Sequence, residues 1–159
     1  MATGIDTSRQ ELLRDLLKQV SRLFYTTLVV VPADVRDQVS LGYLFARAAD
    51  TIADTELIDR PRRLDLLSQL KAQFVSDQIA WAQVREIQQA VGPIQQNSSE
   101  RILLERLEDC FRFFQTFSNL IGPGRTIQRA NLAPEATGNE LLEIGPFRQL
   151  FLGQGWIAG

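Results

Sequence analysis

The sequence predicts an all-α fold, with about five helices over residues 1–119 and an irregular Gly/Pro-rich tail over 120–159. Three observations predict it. Apolar residues recur every three or four positions through most of the first 119 residues, the period of a helix with one buried face. Capping-box patterns, Ser8 with Glu11 and Asn97 with Glu100, stand directly before two of these runs. From about Leu120 the rhythm is lost apart from a short helical pattern near 139–151; seven of the ten glycines and three of the six prolines fall in the last forty residues.

The first helix starts after Ser8 and carries Leu12, Leu13, Leu16, Leu17, Val20 and Phe24 as far as Leu28. Val29, Val30 and Val31 run into Pro32 with no partner strand nearby, so they are expected to form the buried end of that helix and its turn. Pro32 suits the start of a second helix, because its missing N–H would be unpaired there anyway. Asp34 and Asp37 favour that helix's positive N-terminal end. Gly42 lies inside it at a cost of about 1 kcal/mol relative to Ala. Asp59 and Pro61 open a third helix with Leu64, Leu67, Leu70 and Phe74 on one face. A fourth is expected over about 77–91, with Ile79, Val84, Ile87 and Val91 turned inward; Trp81 suits either the core or a surface groove. Gly92-Pro93 stops it. The fifth follows Asn97 and carries Leu103, Leu104, Leu107, Phe111 and Phe114.

Composition narrows the function. A length of 159 residues suits one domain with a real core. Net charge is −2 and pI near 5.2, so composition lends no support to a nucleic-acid surface. The single Cys110 allows no internal disulfide and is expected in the core. There is no His, so any metal site has to be oxygen-rich. No signal-peptide pattern or run of 18 apolar residues is seen, and a cytoplasmic location with at most peripheral membrane contact is expected.

Residues 43–54 hold the strongest candidate for chemistry. On a helix, Tyr43, Arg47, Asp50 and Asp54 are spaced by four, three and four, which stacks them in one stripe. Most neighbouring positions are apolar or small, and ionisable groups on a mostly buried helix need a partner, a metal or a ligand. Two carboxylates one turn apart can hold Mg²⁺, and an Arg beside them can pair with phosphate oxygens. The alternative is an Arg–Asp pair on a solvated face, where such pairs are worth roughly 0–1 kcal/mol. Two other charged groups read as solvated helix surface. Arg60, Arg62 and Arg63 crowd a helix start, while Glu105, Glu108 and Asp109 alternate with Arg101, Arg106 and Arg112.

Ser21-Arg22-x-Phe24, then Pro32, then Tyr43-x-x-x-Arg47-x-x-Asp50-x-x-x-Asp54 resembles the N-terminal part of squalene and phytoene synthases. The resemblance is plain over about 10–58, weaker over 60–118 and absent beyond. The wording of residues 46–54 is closer to the bacterial squalene-synthase branch. It implies part of an isoprenoid-synthase-type helical bundle, in which Mg²⁺ held by two aspartate motifs draws diphosphate from one prenyl diphosphate so that a second attacks head to head. It assigns Asp50 and Asp54 to Mg²⁺ and catalysis, Arg47 to the diphosphate, and Ser21, Arg22, Phe24 and Tyr43 to the substrate channel; Phe24 suits core packing equally well. The implied ligands are farnesyl or geranylgeranyl diphosphate with Mg²⁺, and NADPH if the reaction is of the squalene type. Self-association is compatible with it.

In that family a second aspartate motif follows well downstream. None occurs here, since no Asp follows Asp109. An N-terminal part carrying an unrelated tail, from a frameshift or truncation, is therefore expected, with the condensation incomplete in this chain. The alternatives are an inactive helical fragment that binds a prenyl diphosphate or a partner chain, and a plain helical interaction module.

Overall fold

A computed structural model describes Arg9 and residues 11–121, with side chains as far as Thr116. Ser8, nearly all of the 120–159 segment and the pattern near 139–151 lie outside the described residues. Within them every regular element is helical. A π-helical turn, Glu11–Leu16, leads into α1 (Leu17–Val20). Then come α2 (Arg22–Thr27), a 3₁₀ turn (Leu28–Val30), α3 (Ala33–Asp54) and α4 (Arg60–Val75). After α5 (Trp81–Val91) and a second 3₁₀ turn (Gly92–Ile94) follow α6 (Ser98–Glu105) and α7 (Leu107–Ile121).

Among the described residues seven α-helices replace the five or so expected, because two apolar runs are broken inside. Ser21 is extended (φ −154°, ψ 101°), and its hydroxyl accepts the Phe24 N–H, so it ends α1 and caps α2. Arg106 (φ −100°, ψ 14°) likewise separates α6 from α7. Neither break disturbs the apolar period, which is why the pattern reads through both.

The valines before Pro32 also differ from expectation. Val29 and Val30 are 75% and 85% exposed, and only Val31 packs against the core. The turn is held by the Arg36 guanidinium, which donates to the Val31 carbonyl, so side-chain burial is not what ends the helix. In α4, Leu66 rather than Leu64 joins Leu67, Leu70 and Phe74 inside, and Leu64 is exposed. Helix α5 begins at Trp81, four residues later than expected; the buried Gln73 accepts the Ala80 N–H and closes the preceding loop.

Helix α3 is the centre of the bundle and touches α4, α6, α7 and the N-terminal turn. It buries Leu41, Leu44, Phe45, Ala48, Ala49 and Ile52. The Phe45 ring lies 4.9 Å from Phe74 of α4 and 4.7 Å from Phe111 of α7, and Phe74 and Phe111 are 5.3 Å apart. Such tilted and edge-on pairs add to the gain from area burial. Trp81 is half-buried, with the Arg112 guanidinium 5.2 Å from its ring. Among the described residues no helix is long and apolar enough to cross a membrane.

Phe111 is fully buried, so Phe111→Ala is expected to cost about 3–5 kcal/mol, readable as a lowered urea midpoint. Cys110 is buried, and burial pushes its thiol up to about 12. A thiol that stays protonated at pH 8 is a poor nucleophile; alkylation by iodoacetamide is expected to be slow in native protein and fast after denaturation.

Candidate functional site

The site lies along the face of α3 opposite the Phe45 cluster. Asp50 and Asp54 are exposed, while Tyr43 and Arg47 are half-buried. At about 1.5 Å rise per residue, Tyr43 and Asp54 stand about 16 Å apart along the axis. At the Tyr43 end, Phe24 stacks on the tyrosine, with ring centroids 4.0 Å apart and planes 14° from parallel. The Ser21 cap holds the start of α2 and so the position of Phe24. Arg22 is exposed and pairs with no described residue.

At the other end an open groove of about 420 Å³ is lined by Arg47, Thr51, Asp54, Thr55, Glu56, Leu57, residues 94–97 and Glu100. A chain of hydrogen bonds builds it. Thr51 and Thr55 are buried, and their hydroxyls donate to the Arg47 and Thr51 carbonyls one turn back. The Gln95 amide donates to the Thr55 hydroxyl (2.8 Å) and to the Val91 carbonyl, and Arg101 donates to the Gln95 carbonyl. These bonds pin the 95–97 loop to the last turns of α3. Asn97 then caps α6, its side chain accepting the Ser99 and Glu100 N–H groups.

The capping box expected of Glu100 is not completed. Its carboxylate turns to α3 and accepts a bond from Arg47 Nη2 at 2.5 Å. Arg47 Nε is buried with no partner. Asp50 and Asp54 make no ion pair with any described residue, so the Arg–Asp pairing weighed from spacing is not what α3 forms. Partial desolvation, the largest influence, holds the Asp50 carboxyl above its usual range; Arg47 pulls it down and Asp54 pushes it up.

The predicted site residues thus fall into two groups. Arg47 and Asp54 share the groove, with Asp50 between them on the stripe but outside the groove lining, and Ser21, Phe24 and Tyr43 cluster at the far end. Glu100 was missed as a site residue, since a Glu after a capping Asn points to local capping and no spacing links it to a residue 53 positions earlier. Arg62 and Arg63 serve structure. Arg62 pairs with Asp65 and Glu86, and Arg63 donates to the Ala53 carbonyl. Glu108 and Asp109 pair with arginines of α5, α7 and Arg106, as expected of a solvated face.

The donors suit a hard cation. Asp50 and Asp54 offer carboxylate oxygens without a partner among the described residues; Asp50 is raised mainly by partial burial and in smaller part by the Asp54 charge, and a cation would offset both. The described residues bring no third carboxylate or thiolate near enough to form a closed cluster. A pair of carboxylates one turn apart suits Mg²⁺, which keeps several waters and takes phosphate oxygens alongside one or two carboxylates.

Fold and site together define an all-helical protein with a carboxylate pair beside a guanidinium. Residues 17–121 match the squalene/phytoene synthase family, and the chain belongs to it. Enzymes of this family use Mg²⁺ and act on prenyl diphosphates. Over 63 residues the chain is 40% identical to the bifunctional lycopene cyclase/phytoene synthase of Blakeslea trispora, a match spanning 40% of this chain and 10% of that protein. The relative's name carries a phytoene synthase, so it lends no support to the squalene-synthase branch expected from residues 46–54. No solved structure matches.

The signs of the Asp50 shift can be checked by carboxyl NMR titration. Asp54→Asn removes a like charge and is expected to lower the Asp50 midpoint, whereas Arg47→Gln removes the opposing charge and is expected to raise it.

Proposed function

We propose that this chain forms the first half of a head-to-head prenyl diphosphate site, binding a prenyl diphosphate with Mg²⁺. The observation that carries the reading is the unpaired Asp50 and Asp54 carboxylates, one and two turns from Arg47 on one helix, in a chain of this family. Asp50 and Asp54 would hold the metal, which when bound supplies Lewis-acid activation of the diphosphate leaving group. Arg47 orients the diphosphate with the guanidinium edge that Glu100 leaves uncommitted. Tyr43 and Phe24 offer a stacked aromatic surface to the apolar chain, with Ser21 holding Phe24 in place and the exposed Arg22 adding positive charge on the same short helix. Residues 1–119 would supply this half-site. Binding of the prenyl diphosphate is the activity assigned to this half-site.

Calorimetric titration with a non-hydrolysable farnesyl diphosphate analogue tests it. Binding is expected with Mg²⁺ and is expected to weaken at least ten-fold without it, or in the Asp50→Asn/Asp54→Asn double variant. Absence of binding by protein shown to be helical by circular dichroism would rule out a working half-site.

A further inference from the structure

Glu100 has a partner that neither its helix nor its sequence context predicts. At the third position of a helix capped by Asn, a Glu ordinarily reaches back to the capping residue's N–H. Here Asn97 alone serves the α6 start, and the Glu100 carboxylate, 19% exposed, bonds to Arg47 at 2.5 Å. The bond crosses the groove, joining the start of α6 to the stripe on α3. Among the groove's lining residues Arg47 is the one cation, against the carboxylates of Asp54, Glu56 and Glu100. With Glu100 already bonded to it, Arg47 presents little net charge to an incoming anion. A free diphosphate would meet a negative groove, and one complexed to a divalent cation would not.

We propose that Glu100 is a positioning residue that both orients and neutralises Arg47, making diphosphate binding in this groove conditional on a divalent cation. The substrate taken up is then the metal–diphosphate complex rather than the free anion. This inference rests on the diphosphate reading above and adds to it a residue to which the resemblance assigned no role. Orientation comes from the hydrogen bond, which leaves Arg47 Nη1 for the ligand. Conditionality comes from the charge, since a neutral partner at the same place would hold the guanidinium without cancelling it.

The experiment is calorimetric titration of inorganic pyrophosphate, with and without Mg²⁺, into the unaltered chain, Glu100→Gln and Glu100→Ala, each checked by circular dichroism. The unaltered chain is expected to bind pyrophosphate with Mg²⁺ and at least ten-fold more weakly without it. Glu100→Gln is expected to bind metal-free pyrophosphate at least ten-fold more tightly than the unaltered chain, shrinking the Mg²⁺ dependence. Glu100→Ala is expected to show the same direction of change, which keeps the test open if one variant folds poorly. Variants that lose thermal stability but keep the original Mg²⁺ dependence would reduce Glu100 to a structural tie and overturn the proposal, while the diphosphate reading stood. No binding by the unaltered chain under either condition would overturn both.

Discussion

The rest of the structure depends on the burial of one face of α3. Phe45 meets Phe74 and Phe111 edge-on or tilted, and Ala48, Ala49 and Ile52 carry the same face onward without bulk. A helix has only one angular degree of freedom about its axis. Once that face is packed, the stripe of Tyr43, Arg47, Asp50 and Asp54 has to face outward. The site is thus positioned from behind, by apolar contacts that share no atom with it. The same packing spares the carboxylates full desolvation: Asp50 feels partial burial and its neighbour's charge, yet both aspartates reach solvent.

The groove itself depends on polar groups placed one turn apart. Thr51 and Thr55 satisfy their hydroxyls within α3, which leaves the Thr55 oxygen to accept from Gln95. That bond brings the 95–97 loop, and with it the start of α6, across from Arg47. Buried hydroxyls in a helix usually serve only their own turn; here one also anchors the opposite wall. The Arg47–Glu100 pair is a product of this anchoring, because without the loop's attachment Glu100 would be free to complete its own helix cap.

Most of the architecture was legible in the sequence, and so was the composition of the stripe, because both follow from helical period. Leu103, Leu104, Leu107 and Phe111 are buried as their spacing requires. What escaped were features set by single residues or by distant partners. The extended backbone at Ser21 and the break at Arg106 leave the apolar rhythm intact, so two runs each conceal two helices. Val29 and Val30 read as core from hydropathy alone, yet the turn is secured by Arg36 bonding to a carbonyl, and they face solvent. Leu66 displaces Leu64 because three or four residues per turn allow two phasings of a leucine-rich stretch. The groove was hidden for a related reason. Its two walls come from segments some fifty residues apart, and periodicity carries no information about which loops meet.

The order of side chains along α3 also gives the face a direction. Stacked rings occupy one end, about 16 Å from the carboxylate at the other, with the guanidinium in between. An amphiphile lying along such a face is read by both ends at once, and on the proposed reading only one of its two orientations satisfies both. Inverting it would set an anion against the tyrosine and phenylalanine and leave a hydrocarbon chain among aspartates. On that reading the helix would act as a polarity filter as well as a support, set before any ligand arrives by the spacing of four residues.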